Sequence, residues 1–202
     1  MRLYHSATSP YARKVMVTIL ETGQQDDVTL VPAAGSPLDP GSMPLAQNPL
    51  GKIPTLERDE GPALFDSRVI CRYLDARAGA GLYPDGDALW ETLALEALAD
   101  GILDAALLMV YESRIRPEAL RMDEWTEGQW SKIARSLDAL EGRWLAHLAG
   151  PFEMGQIALA CALGYLDFRH ASLGWQEKFP ELAGWWRDIA KRPSFVGTAP
   201  PV

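Results

Sequence analysis

The chain has no excess of positive charge. Its 202 residues carry 19 Lys and Arg against 27 Asp and Glu, a formal net charge of −8. An acidic chain repels phosphate backbones, so a nucleic-acid partner is not expected. No basic run is present to hold an anionic membrane surface. Long hydrophobic runs are also missing: the longest apolar stretch, residues 157–166, has the length of a core helix rather than a membrane span. The opening residues, LYHSATSPY after Arg2, contain no apolar signal core. A cytoplasmic location is expected, without membrane association. Cysteine is scarce, at two residues, Cys71 and Cys161. Both fall among apolar neighbours in helical patterns and read as buried free thiols. No CxxC or Cys/His spacing occurs, and His5, His147 and His170 form no motif, so no metal site is expected.

What is present is unevenly distributed. All seven tryptophans lie at Trp90 or later. The earlier part is rich in strand and turn signals, and the later part reads as helix almost throughout. Residues 2–6 and 28–33 read as strands flanking a helix over 11–21. Residues 35–50 hold four prolines and two glycines and read as loop. Strands at 55–58 and 63–65, joined by the turn Glu60-Gly61-Pro62, precede a helix over about 67–78. The order β-α-β-loop-β-β-α combines a parallel βαβ unit with an antiparallel hairpin and predicts a four-stranded mixed sheet with helices. Beyond a Gly/Pro/Asp-rich connection, helices are expected over 89–115, 125–148, 156–173 and 180–191. The third is apolar on nearly all sides and should be the buried central helix. The expected division is a domain at 1–77, a linker at 78–87 and an all-helical domain at 88–202.

The densest chemical signal is residues 48–74, NPLGKIPTLERDEGPALFDSRVICRYL. Isoleucine before proline favours extended geometry. A cis Ile53-Pro54 bond would turn the Ile53 backbone outward, where its N–H and C=O could pair with a peptide ligand; a trans proline at a strand start is the plain alternative. Ser67 reads as the N-cap of the following helix. A helix N-terminus attracts an anion, and Asp66 beside it suits an ammonium. One amino-acid head group would satisfy both, although simple capping explains the pair equally well in isolation. The turn 7–14 places Thr8 and Ser9 beyond the end of the first strand, at a helix start, where α/β folds bind ligands. A hydroxyl there can donate to a bound thiolate. The alternative is a capping serine followed by a first-turn proline. Arg13 and Arg68 stand in helix-opening regions, where the dipole does not favour a cation.

These motifs resemble those of cytosolic-type glutathione S-transferases over nearly the whole chain: SPYARKV, NPLGKIPTL, FDSRVICRYL, IALACALGYLDFR, and FPELAGWW with RPSF near the end. The likeness is to bacterial members with a serine-type or cysteine-type loop. It implies a thioredoxin-like N-terminal domain, an all-helical C-terminal domain and a homodimer. Glutathione would be the co-substrate, with no metal. It implies that Pro54 is cis, that the Ile53 backbone pairs with the cysteinyl part of glutathione, and that Asp66 and Ser67 hold its γ-glutamyl group. Ser9 takes the thiolate-stabilising role, with Thr8 as fallback; a serine there cannot form the mixed disulfide that a cysteine would. Lys52 stands where several related groups place a basic residue near the glycyl carboxylate, or is a solvated loop lysine. A hydrophobic electrophile would bind between the domains, with Tyr11, Leu107, Tyr111 and Arg114 as candidates. The implied reaction is conjugation of the glutathione thiolate to that electrophile; a non-catalytic glutathione-binding protein or a glutathione-dependent isomerase or dehalogenase is the alternative. One departure stands out. The family opens its buried helix with Ser/Thr-x-x-Asp, whereas this chain has Glu153-Met154-Gly155-Gln156. Glutamate is a poor N-cap, so a compensating contact is expected.

Overall fold

The computed structural model describes residues 1–201. The elements run β1 (Arg2–His5), α1 (Pro10–Glu21), β2 (Thr29–Pro32), β3 (Thr55–Glu57), β4 (Leu64–Phe65), α2 (Ser67–Ala78), α3 (Ala88–Arg114), α4 (Asp123–Arg143), α5 (Leu145–Leu148), α6 (Met154–His170), α7 (Trp175–Lys178), α8 (Pro180–Ile189) and α9 (Pro193–Val196). They form two compact units, one built from Met1–Tyr83 and the segment from Pro193, the other from Pro84–Arg192.

The first unit is a four-stranded mixed sheet in the order β2-β1-β3-β4. β1 and β2 are parallel, with Leu3 beside Leu30; β1–β3 and β3–β4 are antiparallel, with Leu3 beside Leu56 and Leu56 beside Leu64. Alternation along these short strands buries Leu3 and Leu56 completely. α1 supplies Ala12, Val15 and Ile19 to the core, and α2 supplies Ile70, Cys71 and Leu74. Each buried aliphatic side chain of this size contributes roughly 1.5–3 kcal/mol by leaving water. α1 starts with Ser9 as N-cap and Pro10 at its first position, a pairing suited to the fixed φ of proline. α2 ends where Gly79 adopts φ +62°, a conformation glycine takes without the Cβ clash that other residues meet.

Two boundaries differ from expectation. The stretch 79–83 does not behave as linker, because both carboxylate oxygens of Asp75 accept backbone N–H groups from it, Leu82 at 2.8 Å and Tyr83 at 3.2 Å. The expected all-helical domain at 88–202 also loses its end. The segment from Pro193 folds against α1, where buried Arg13 donates to the Phe195 carbonyl at 3.0 Å and to Thr198 Oγ1 at 3.4 Å. The Arg13 guanidinium lies 5.5 Å from the centre of the Phe195 ring. Arg13 is therefore a tether within its own unit.

The second unit is helical, with α3 packed along α6 and α4. α6 is buried on nearly every face, as its apolar sequence requires. Gly155 permits the close approach of α3: a Cβ there would sit 2.9 Å from Leu95 Cδ2 and 3.1 Å from Leu95 Cβ. The weak Glu153 cap is compensated twice. Thr92 donates to Glu153 at 2.6 Å, and Gln156 reaches the Pro151 carbonyl at 2.8 Å and the His147 carbonyl at 3.2 Å. The expected helix over 125–148 is interrupted at Trp144, which joins α4 to α5 through a turn at φ −112° and ψ −6°. The expected helix over 156–173 gives way after His170 to a tight turn closed by Gly174 at φ +60°. Both cysteines are buried and unbridged.

Candidate functional site

The sheet register gathers the candidate residues at one end of the first unit. β1 pairs Tyr4 with Thr55, and β3 pairs Thr55 with Phe65. Continued by one residue, these registers set Pro54 between His5 and Asp66. The same end therefore carries the loop after β1, the start of β3, and the start of α2 after β4. It also receives the N-termini of both α1 and α2, whose partial positive charge favours an anion.

The Ile53-Pro54 bond is cis. Among the described residues, neither backbone polar group of Ile53 has a hydrogen-bond partner within the chain. The loop leading into it is held by Asn48, which is 1% exposed. Asn48 Nδ2 donates to the Lys52 carbonyl at 2.9 Å and to Thr55 Oγ1 at 3.2 Å, while its Oδ1 accepts from Leu50 N–H at 3.0 Å. Thr55 Oγ1 in turn donates to the Lys52 carbonyl at 2.9 Å. Sequence reasoning missed Asn48; the signal available was an amide side chain directly before Pro49, near the end of the proline-rich loop that leads to Ile53-Pro54. The Lys52 side chain is exposed.

The N-cap of α2 is Asp66, not Ser67 as expected. Asp66 takes φ +70° and ψ 126°, the only positive φ outside glycine among the described residues. Such a conformation costs on the order of 1–3 kcal/mol and is found where surroundings enforce it. Asp66 Oδ1 accepts from the Arg68 backbone N–H at 2.9 Å and from Arg68 Nε at 3.3 Å; Oδ2 accepts from Arg68 Nη2 at 3.1 Å. A carboxylate offers about four lone-pair sites, so these three bonds leave Oδ2 able to accept one more donor. Partial burial pushes this carboxyl up. Hydrogen bonds from Arg68 and the positive charges of Arg68 and Lys14 outweigh that and hold it below its ordinary value. Ser67 is buried at the first helical position, and its hydroxyl has no partner among the described residues. Arg68 is thus committed to Asp66.

In the loop after β1, Ser9 Oγ accepts from the Ala12 N–H at 3.2 Å and caps α1. A hydroxyl that accepts this bond keeps its own proton, and no acceptor for that proton occurs among the described residues. Thr8 is engaged differently: its hydroxyl lies 3.2 Å from Ser6 Oγ, and its N–H meets the same atom at 3.4 Å. His5 is half-buried, with Nδ1 buried and unpartnered; burial lowers its pKa and favours the neutral ring. Tyr4 is a core residue, as expected, donating its hydroxyl to Glu57 at 3.0 Å.

The electrophile-site candidates divide between the units. Tyr11 lies on α1, half-buried. Leu107, Tyr111 and Arg114 follow one another at spacings of four and three on α3 and so share one of its faces. Among the described residues no group of His, Cys, Asp and Glu is disposed to hold a metal, and no helix is long and apolar enough to cross a membrane.

A thioredoxin-like mixed sheet followed by an all-helical unit defines the class. Residues 8–77 match the family model for the glutathione S-transferase N-terminal domain, and residues 123–187 match that for the C-terminal domain. The chain belongs to the glutathione S-transferase family. It is similar to the GST-like protein YibF of Escherichia coli (strain K12), with 37% identity over 100% of this chain and 99% of the relative. It is also similar to a solved glutathione transferase family member from Pseudomonas fluorescens Pf-5 holding glutathione, at 48% identity and TM-score 0.97 over 100% of this chain and 99% of that one. A second structure from that organism holds S-(propanoic acid)-glutathione; its identity is 48% and its TM-score 0.93, with both chains covered completely.

Proposed function

We propose that the protein is an active glutathione transferase that conjugates the glutathione thiolate to a hydrophobic electrophile. The observation that carries this reading is the Ser9 hydroxyl. It caps α1 through its oxygen, keeps its proton without a partner, and stands at the sheet end shared by Ile53-Pro54 and Asp66-Ser67. Glutathione would lie along that end. Its γ-glutamyl ammonium would take the open position on Asp66 Oδ2, and the adjoining carboxylate would take the Ser67 hydroxyl and the N-terminal N–H groups of α2. The Ile53 backbone would pair with the cysteinyl unit, and Lys52 would meet the glycyl carboxylate.

A free thiol has a pKa of about 8.5. The Ser9 O–H, helped by the N-terminus of α1, would stabilise the anion, with Thr8 as a further hydroxyl nearby. A shift of two units requires only about 2.7 kcal/mol. The thiol proton leaves to solvent. The sulfur lone pair then forms a C–S bond to the electrophilic carbon, and either a leaving group departs with its electron pair or the electrons pass into an activated double bond and are protonated. Positioning and electrostatic stabilisation supply the acceleration. The S-(propanoic acid)-glutathione held by the Pseudomonas relative supports this reading, since it carries a carbon substituent on the glutathione sulfur. The Leu107 and Tyr111 face of α3 would accommodate the apolar part of the electrophile. By family likeness the proposal extends to a cytoplasmic homodimer.

Calorimetry with glutathione, followed by a panel of aryl chlorides and activated alkenes in its presence, tests the proposal. Uptake of glutathione with stoichiometric formation of thioether is the expected result. Binding without turnover on every electrophile would reduce the protein to a glutathione carrier.

A further inference from the structure

Of the helical unit's arginines that form no ion pair among the described residues, two lie on the packed helices α3 and α6. Arg114 ends α3, and Arg169 lies on α6, which packs along α3. Neither makes an ion pair among the described residues, in a chain with eight more acidic than basic groups. The acidic residues closest in sequence are occupied elsewhere. Glu112 accepts Arg116 Nε at 2.7 Å and the Met122 N–H at 2.9 Å. Asp167 accepts three N–H groups, from Trp175 at 2.8 Å, Gln176 at 2.8 Å and Trp186 at 2.7 Å. Arg169 is held flat: its guanidinium carbon lies 3.9 Å from the centre of the Phe168 ring. Its Nε is buried with no hydrogen-bond partner. Such a guanidinium, stacked and only partly satisfied, is preorganised for a planar bidentate anion.

Two tyrosines complete the group. Tyr165 packs on Phe168, with ring centres 6.5 Å apart, and on His170 at 6.4 Å. His170 does not compete as a cation: it meets the Ala106 carbonyl through Nε2 at 3.0 Å, and burial lowers its pKa. Burial raises the pKa of both Tyr111 and Tyr165, so each hydroxyl remains a donor; Tyr165 also feels the charges of Arg169 and Arg114 and the neighbouring Tyr111.

We propose that Tyr111, Arg114, Tyr165 and Arg169 form a carboxylate-binding subsite on the α3–α6 face, so that the preferred electrophile bears a carboxylate on an apolar frame. The assignment rests on the reading of the α3 face as the electrophile site. Leu107, one turn before Tyr111, would meet the apolar frame. The anion would be held by a stacked guanidinium, a second guanidinium and two phenolic O–H groups. Conjugation itself is ordinary aromatic substitution: the thiolate forms the C–S bond and chloride leaves with the C–Cl electron pair.

The test uses chlorodinitrobenzoate and its carboxamide, which share ring and leaving group and differ in charge. The full-length protein with glutathione should favour the acid over the amide in kcat/KM by about tenfold, the size of one charge-assisted contact, and the ratio should shrink as salt rises. Arg169→Gln and, separately, the exposed Arg114→Gln should each collapse the ratio, and Arg169→Lys should restore part of it. Equal rates for acid and amide would overturn the subsite while leaving transferase function intact. If neither compound reacts, calorimetry with unreactive dinitrobenzoate and dinitrobenzamide decides the matter. Tighter binding of the acid, abolished in Arg114→Gln, upholds the subsite although the proposed activity fails; equal binding overturns it.

Discussion

Replacing Ser9 by alanine separates two jobs that one oxygen performs. The first is structural: Ser9 Oγ accepts the Ala12 N–H at 3.2 Å, a long bond for an N-cap. Caps of this type contribute about 0.5–2 kcal/mol, and the length of this one argues for the lower half of that range. A loss of about 0.5–1 kcal/mol lowers Tm by roughly 1–4 °C in a chain of this size. The second job is chemical. A hydrogen bond to a charged partner contributes about 1.5–3 kcal/mol, so losing the O–H donor raises the pKa of bound glutathione by about one to two units. With the bound thiol about two units below the free value, the thiolate fraction then falls by about ten- to a hundredfold well below that bound pKa, but only by about three- to twenty-fivefold at neutral pH. The remaining thiolate is more basic and more nucleophilic, with a Brønsted slope near 0.5. The conjugation rate at saturating glutathione therefore drops about three- to tenfold in the acid range, by no more than about two- to threefold at neutral pH, and recovers at high pH. Ultraviolet titration of the bound thiolate and a pH–rate profile measure this directly. A variant that melts lower but titrates like the parent would show that Ser9 only caps α1. If Thr8→Ala produced the shift instead, the donor would be Thr8, although its contact with Ser6 makes that the weaker candidate.

Three further outcomes follow from the geometry. The Asp66 carboxyl has a folded pKa below its ordinary value, so its stabilising contribution is present above that ordinary value and is lost as pH falls through the depressed one; Asp66→Asn should flatten the acid limb of a Tm–pH curve and weaken glutathione uptake by roughly tenfold or more. Gly155→Ala should cost about 1–3 kcal/mol in urea unfolding, because its Cβ would press on Leu95 Cβ as well as on the movable end of that side chain; an unchanged midpoint would mean that α3 and α6 can separate freely. Asn48→Ala should raise the Kd for glutathione although Asn48 is assigned no contact with it, since the loop before Ile53 loses three hydrogen bonds; unaltered affinity with lowered stability would limit Asn48 to a folding role.

The mixed four-stranded sheet and the long helices were legible because they depend on local patterns: strand alternation around the Glu60-Gly61-Pro62 turn, and apolar spacing along α3 and α6. The element boundaries that carry the candidate residues were legible for the same reason, since Ile-Pro, Asp-Ser and the hydroxyl-bearing turn are all local signals. The N-cap of α2 fell one residue from expectation. Aspartate and serine are equally good caps, and nothing local announces that Asp66 adopts a positive φ. Arg13 and Lys14 were less accessible still. A charged residue in a first helical turn reads as solvent-facing or ligand-directed, yet both are buried. Arg13 can be buried only because the segment from Pro193 returns across some 180 residues to supply the Phe195 carbonyl and the Thr198 hydroxyl. Local propensity carries no information about that return. The same logic applies to Arg114 and Arg169. Arg114 is an electrophile-site candidate from the sequence and Arg169 is not, and what joins them is that the acids nearest each in sequence are consumed by tryptophan, glutamine and Arg116. A charge left over after such an inventory is a better guide to ligand chemistry than one identified by its helix position alone.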